Sequence, residues 1–292
     1  MKPASFKYLA PDSLAEALAL RAEHGDDAKA LAGGQSLIPA MNFRVAQPSL
    51  LVDLNKINEL RYIRREGNEL RIGAMTTQSA VERNDLVAKH QPLLFETVPF
   101  VAHPQIRNRG TLGGSLAHAD PAAEMPVVAL ALDAKFKAQS KDGERWIPAK
   151  EFFQGFFTVD LQPTEYLTEI AYPDLPARTG WCFMEVARRH GDYAMCGIAA
   201  LVTLDAKGIC EKARLVYLNV GDGPVDASRT AALLTGQAIT DEAMRAAADK
   251  AAGDEMNPFG SVHASPEYQK HLARVLTRRA LKTAHERALT AH

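Results

Sequence analysis

Two glycine pairs, Gly33-Gly34 and Gly113-Gly114, are each followed closely by a hydroxyl residue, Ser36 and Ser115. Consecutive backbone N–H groups turned inward can hold a diphosphate, and glycine permits both the φ values and the close approach that such a loop requires. Hydroxyls add donors without bulk, so two such loops from separate segments could grip one diphosphate from both sides. Neither loop is a Rossmann fingerprint, because no G-x-G-x-x-G opens a helix after a strand. Neither is a Walker loop, because no Gly-Lys-Ser/Thr occurs. For either pair alone, a plain tight turn is the competing explanation.

Other residues offer weaker chemistry. Arg107 and Arg109 could clamp phosphate or pair with acidic neighbours. His118 and Asp120 are two metal-ligand types without a third, which points to surface or cofactor contacts and no metal site. Arg61, Arg64 and Arg65 read as a solvated hairpin face, with docking to a partner subunit as the alternative. Cys182, Cys196 and Cys210 are odd in number and far apart. They suit neither a disulfide framework nor the four thiolates of an iron–sulfur cluster, and a cytoplasmic location fits them best.

The elements that must position these groups can be sketched from periodicity and punctuation. A strand and a helix occupy residues 1–24, with Ser13-Leu14-Ala15-Glu16 as a capping box and His24-Gly25 as the stop. Lys29–Leu31 and Leu50–Leu54 read as buried strands of a small α/β unit ending near Ile57. A hairpin pairs Arg61–Arg65 with Glu69–Ile72 across Glu66-Gly67-Asn68. Helical stretches run from about Gln78 to Ala102, a glycine-rich loop from Ile106 to Ser115, and three or four strands from Val127 to about Tyr172. Pro173-Asp174-Leu175-Pro176 marks a boundary. Beyond it lie strands at Trp181–Ala187, Ile198–Leu204 and Ala213–Val220, then helices at Thr240–Ala252 and about Pro266–Leu289.

Composition narrows the function. With 292 residues, 47% of them hydrophobic, the chain can bury a real core, and its net charge of -1 recruits neither nucleic acid nor anionic membrane. No window approaches the apolar length of a membrane span. The opening Met1–Phe6 leads into mixed sequence, so no signal peptide is expected.

The surroundings of the glycine loops carry a resemblance. Ala32-Gly33-Gly34-Gln35-Ser36-Leu37-Ile38-Pro39 resembles the first FAD-binding loop of the flavoprotein subunits of molybdenum hydroxylases. Ile106 to Ser115, continuing through Leu116-Ala117-His118-Ala119-Asp120-Pro121-Ala122-Ala123-Glu124-Met125-Pro126, resembles their second. Arg188-Arg189-His190-Gly191-Asp192-Tyr193-Ala194 is a third match. The family includes the medium subunit of aerobic carbon monoxide dehydrogenase and the FAD domain of xanthine dehydrogenase, and the resemblance covers essentially the whole chain.

It implies an α+β fold: an FAD-binding domain of the vanillyl-alcohol oxidase and p-cresol methylhydroxylase type over residues 1–176, with α/β subdomains at about 1–57 and 58–176. A C-terminal α+β domain would occupy 177–292. Ala32, Gly33, Gly34, Gln35, Ser36 and Leu37, with Thr111, Leu112, Gly113, Gly114 and Ser115, would surround the FAD diphosphate and ribityl. His118 falls at a cofactor-facing position. Glu124 stands where many relatives place an aspartate that hydrogen-bonds the cofactor, one methylene longer. Leu167 falls on a strand that packs near the flavin, and Tyr193 matches a tyrosine lying over the isoalloxazine ring. Some relatives carry a flavin-side lysine near Phe183; here Met184 and Glu185 follow, so positive charge beside reduced flavin must come from elsewhere.

No histidine or cysteine stands in a flavin-attachment motif, so FAD should bind non-covalently. By resemblance, a large subunit would hold the molybdenum cofactor and a small one two 2Fe–2S clusters, in a dimer of heterotrimers. This chain would pass electrons to quinone, oxygen, NAD or another carrier. The 4-hydroxybenzoyl-CoA reductase type, whose flavin subunit carries a further iron–sulfur cluster, is disfavoured by the cysteine count. The substrate stays open among carbon monoxide, purines, nicotine-type heterocycles and aldehydes. Two rivals are a free-standing flavin oxidoreductase, which needs a base facing the flavin, and a non-catalytic FAD-binding or cofactor-insertion protein.

Overall fold

A computed structural model describes residues 1–291; His292, the expected last residue of the C-terminal domain, lies outside the described residues. Three short strands, β1 (Lys7–Leu9), β2 (Ala28–Leu31) and β3 (Leu50–Asp53), form a parallel sheet in the order β1-β3-β2. The Leu14–His24 helix supplies the first crossover. The Ser13 hydroxyl accepts from the Glu16 N–H as a cap should, but the Glu16 carboxylate reaches the Asp12 N–H, 3.0 Å away, so the expected reciprocal box is offset by one residue. Gly25, at φ +52°, ends the helix.

The middle of the chain builds an antiparallel sheet. Its strands are β4 (Ile63–Glu66), β5 (Glu69–Gly73), β6 (Lys135–Ser140), β7 (Gly143–Pro148) and, beyond a small hairpin of β8 (Phe153–Gly155) and β9 (Thr158–Val159), β10 (Tyr166–Pro173). The order is β4-β5-β10-β6-β7. The stretch Ile106–Ser115 is not one loop: Pro104–Arg107 is a helical turn, and a helix at Leu112–His118 starts on Thr111, whose hydroxyl accepts from the Gly114 N–H. Val127–Ala131 is not strand but the body of a helix, Glu124–Ala131, buried at every residue. A helix surrounded by protein has no polar face, so its sequence shows the same unbroken apolar run as a buried strand.

Of the three arginines expected on a solvated hairpin face, Arg64 is exposed as expected, whereas Arg61 and Arg65 are partly buried, and all three find partners. Arg61 donates to the carbonyls of Met75 and Asn55, Arg64 pairs with Glu66 and Glu169, and Arg65 clasps Asp174 with one N–H at 2.7 Å.

The last sheet, β11 (Thr179–Val186), β12 (Cys196–Leu204), β13 (Cys210–Leu218) and β14 (Val225–Asp226), is antiparallel in that order. Period-two alternation splits its side chains between two cores. Cys182, Cys196, Ile198, Ala200 and Val202 face the helices Asp241–Lys250 and Pro266–Thr290. Phe183, Ala199, Leu201, Val216 and Leu218 face the other way and join one core with Leu70, Ile72, Met125 and Ile170 of the middle sheet and its helices. A helix at Ser228–Leu234 was not foreseen from the sequence. The three cysteines are buried and unpaired, with thiols pushed up by burial. Among the described residues no helix is long and apolar enough to cross a membrane.

Candidate functional site

The two glycine loops meet. A cleft of about 360 Å³ is lined by Ala32 to Gln35, Ile38, Asp53, Asn55 and Arg109. Gly33 lies against the entry to the second loop: a Cβ there would stand 2.7 Å from the Gly110 Cα and closer still to the Arg109 carbonyl. One at Gly114 would come within 3.4 Å of the Ala32 methyl. The glycines therefore let two backbones touch. Gly34, at φ +73°, adds the left-handed turn that sends the chain into the Leu37–Asn42 helix.

The loops differ in what they offer. The backbone N–H groups of Gly33, Gly34, Gln35, Ser36 and Leu37 donate to no acceptor among the described residues. In the second loop, by contrast, Leu112 donates to Thr76, Gly113 to Ala74, Gly114 to the Thr111 hydroxyl and Ser115 to Thr111. The expected two-sided grip thus reduces to one loop with open donors and one that braces it. Thr111, Leu112 and Gly113 are buried; Leu112 packs into the main core, and Gly114 and Ser115 are half-buried.

Residues that sequence reasoning did not single out fix the first loop. The Asn55 amide donates to the Ala32 carbonyl at 2.7 Å and to Asp53 at 2.6 Å, and Arg61 holds Asn55 from behind. Asn55 lies 23 positions from Ala32, beyond the reach of any local motif. The two arginines of the second loop divide. Arg107 is buried in a two-pronged pair with Glu82, both N···O distances 2.9 Å, and donates to the Pro99, Val101 and Ala102 carbonyls. Arg109 is exposed on the cleft wall, with no ion pair among the described residues.

The Leu112–His118 helix runs about 10 Å from this cleft to a second group of side chains. His118 sits at its end, half-buried against Phe157 with ring centroids 5.0 Å apart. Burial holds its pKa below the ordinary value, with Asp120 opposing and Lys29 assisting, so it is neutral at pH 7. Glu124, in the first turn of its helix, is 9% exposed. Burial raises its carboxyl to about 7 against the pull of its own backbone, with Asp120 adding to the rise. Leu167, just before a bulge in β10, is buried in the main core.

Tyr193 is 73% exposed, unlike an ordinary packing tyrosine. Surrounding protein and then the Asp120 and Glu124 carboxylates raise its hydroxyl pKa, which puts it on the same side as those groups. Its loop is fastened from the C-terminal sheet. The Asn219 amide donates to Ala194 at 2.6 Å while its backbone N–H donates to Pro121 at 2.8 Å. The buried Gln269 amide donates to Met195 and Asn219. A row of unpartnered N–H groups leading to an exposed aromatic ring and buried carboxyls suits a dinucleotide-like cofactor with an anionic middle and a planar end. Among the described residues no three His, Cys, Asp or Glu are placed to hold a metal.

The site suits a cofactor-binding protein, and comparison with known proteins gives the family. Residues 4–175 match the family described as the FAD binding domain in molybdopterin dehydrogenase, and residues 181–284 the CO dehydrogenase flavoprotein C-terminal domain. The chain is 45% identical over 288 residues to the alpha subunit of the 6-hydroxypseudooxynicotine dehydrogenase complex of Paenarthrobacter nicotinovorans, covering 99% of this chain and 97% of that one. Among solved structures, a carbon monoxide dehydrogenase from Hydrogenophaga pseudoflava that lacks the Mo-pyranopterin moiety superposes with a TM-score of 0.95 at 39% identity, over 98% of this chain and 99% of that chain. Quinoline 2-oxidoreductase from Pseudomonas putida 86 gives 0.93 at 37%, over 99% and 100%. The chain belongs to the FAD-binding medium subunits of the molybdenum hydroxylases and is an oxidoreductase component.

Proposed function

We propose that this chain holds FAD non-covalently at the exit of an electron path: it receives electrons from the 2Fe–2S clusters of a small partner subunit and passes them to an external acceptor. The observation that carries the reading is the run of five open N–H donors from Gly33 to Leu37. Such donors, partly exposed along the cleft, are open to an anionic acceptor. Ala32 to Leu37 would hold the diphosphate, with Arg109 as the nearby cation. Thr111 to Ser115 would brace that loop and offer the Ser115 hydroxyl. His118, Glu124 and Tyr193 would surround the ring, with Leu167 below.

When bound, FAD would supply the change between two-electron and one-electron transfer, and the protein orientation and electrostatics. Tyr193 would limit access of solvent to one face, and neutral His118 would add no charge. A large molybdenum subunit would complete a heterotrimer, paired into a heterohexamer in the cytoplasm, with residues 1–176 and 177–292 as the two domains. The rival reading, a free-standing flavin oxidoreductase, draws on one observation, the near-neutral carboxyl of Glu124 beside the ring position.

One experiment separates the two. The purified chain should carry about one FAD, released intact on acid precipitation, and that flavin should remain oxidised with every candidate substrate until the partner subunits are added. Flavin retained by the precipitate refutes non-covalent binding, and substrate reduction by the chain alone refutes the assignment to an electron-transfer post.

A further inference from the structure

Arg61 follows the short turn Asn58–Leu60 and is partly buried. Its guanidinium reaches in two directions. One nitrogen donates to the Asn55 carbonyl and to the Asn55 side-chain oxygen, each at 3.1 Å. Another donates to the Met75 carbonyl at 2.9 Å. All three acceptors are uncharged, so the planar fork acts here as a strut that holds two sides at a set separation.

Each side leads to a different glycine loop. On the first, the Asn55 amide donates to the Ala32 carbonyl at 2.7 Å and to Asp53 Oδ1 at 2.6 Å, and its backbone N–H meets the same Asp53 oxygen at 2.9 Å. With both amide hydrogens and the amide oxygen engaged, the side chain has one orientation. On the second side, Met75 lies within the segment that braces the other loop: Ala74 accepts from Gly113 and Thr76 from Leu112, each at 2.9 Å. That segment is fastened to the stretch carrying Arg61. The Met75 N–H donates to Leu60 at 2.9 Å, and the Thr76 hydroxyl bonds both the N–H and the carbonyl of Tyr62. The two loops also touch directly where Gly33 packs on Gly110. One point of contact lets two loops pivot against each other; a second link stops the pivot.

We propose that Arg61 is a positioning residue for the cofactor: by joining Asn55 to Met75 it holds the open-donor loop in register with the Leu112–His118 helix, and so sets where a ligand gripped at its diphosphate presents its far end. Arg61 itself stands outside the lining of the cleft. The proposal rests on the reading that Ala32 to Leu37 hold the FAD diphosphate.

The test compares FAD with ADP on the full chain freed of flavin, by fluorescence quenching and by titration calorimetry. ADP carries the same diphosphate but nothing that reaches the far end of the Leu112–His118 helix. Arg61→Ala leaves Asn55 bonded to Asp53 and Ala32, so the first loop keeps its shape and loses its register. FAD should therefore bind about tenfold more weakly or worse, while ADP stays within about threefold of wild type. Asn55→Ala, which frees the loop itself, should weaken both ligands. Arg61→Lys keeps the charge and the stem but offers one nitrogen where two are used, and should show the same split on a smaller scale; it carries the test if Arg61→Ala does not fold. Equal losses of FAD and ADP in the Arg61 variants, or no loss of FAD, overturn the proposal while leaving the diphosphate loop standing. A wild-type chain on which ADP does not displace FAD overturns the diphosphate reading, and the proposal with it.

Discussion

Gly33→Ala should strip FAD from a chain that still folds. The added Cβ would lie 2.7 Å from the Gly110 Cα, with the Arg109 carbonyl closer. Ordinary carbon contact begins near 3.5 Å, so the two loops must part by about 1 Å. Overpacking of that kind costs about 1–3 kcal/mol of stability, which a chain of this size survives. The binding cost is larger. A displacement of about 1 Å carries a hydrogen bond of about 2.9 Å beyond its working range. Each bond from an N–H to a charged group is worth about 1.5–3 kcal/mol. Losing two of them removes about 3–6 kcal/mol, or about 10² to 10⁴ in Kd. The assay is quenching of flavin fluorescence on titrating FAD with apoprotein, with circular dichroism to establish folding. Gly223→Ala, where a Cβ meets nothing within 4 Å, is the control and should bind as wild type. A folded Gly33→Ala chain that binds FAD within threefold of wild type would refute the one-loop phosphate cradle.

Three further outcomes are expected. Tyr193→Ala, at a 73% exposed position, should leave folding intact and FAD bound; it should alter the flavin's visible spectrum and its reaction with acceptors, and stopped-flow reduction of the intact complex by substrate should be unchanged. Arg107→Ala should cost about 3–5 kcal/mol in urea unfolding, because it leaves Glu82 and three carbonyls without their donor; Arg107→Lys should rescue little, since an ammonium cannot reproduce the two-pronged fork. Glu185, raised from 4.5 to about 8, favours the folded state most at low pH, and that contribution is lost as pH rises through the window between those values. The stability of the FAD-free chain should therefore fall on that climb by up to about 5 kcal/mol, read as a lower melting temperature, and the fall should be smaller in Glu185→Gln.

What the sequence discloses follows the range of the interactions involved. The Gly33-Gly34 loop is legible because its requirement is local, a positive φ at Gly34 and open N–H groups over the next few residues. The second loop is legible as a motif but not as a shape, because Leu112-Gly113-Gly114 carries poor helix formers that are nonetheless held in a helix by the Thr111 cap and by Ala74. Val127–Ala131 is misread as strand because burial on all sides erases the helical period. Asn55, Asn219 and Gln269 carry no signal at all; each bonds to backbone more than twenty positions away. Glu185 is silent for a different reason. One glutamate on a strand reads as solvent-facing, and only the fold, which sets it opposite Gly197, leaves its Oε2 buried without a partner.

The core shared between the middle sheet and one face of the last sheet bears on how such a chain can be taken apart. The family matches stop at residue 175 and resume at 181, as though two modules could be exchanged at will. Yet Phe183, Ala199, Leu201, Val216 and Leu218 share one core with the half of the chain that precedes them. A fragment cut between the matches would expose that stripe to water on one piece and its counterpart, around Met125 and Ile170, on the other. The two halves are thus distinct in the alphabet of families and joined by one core, and a recombination event that keeps this core intact must carry both sides of the seam together.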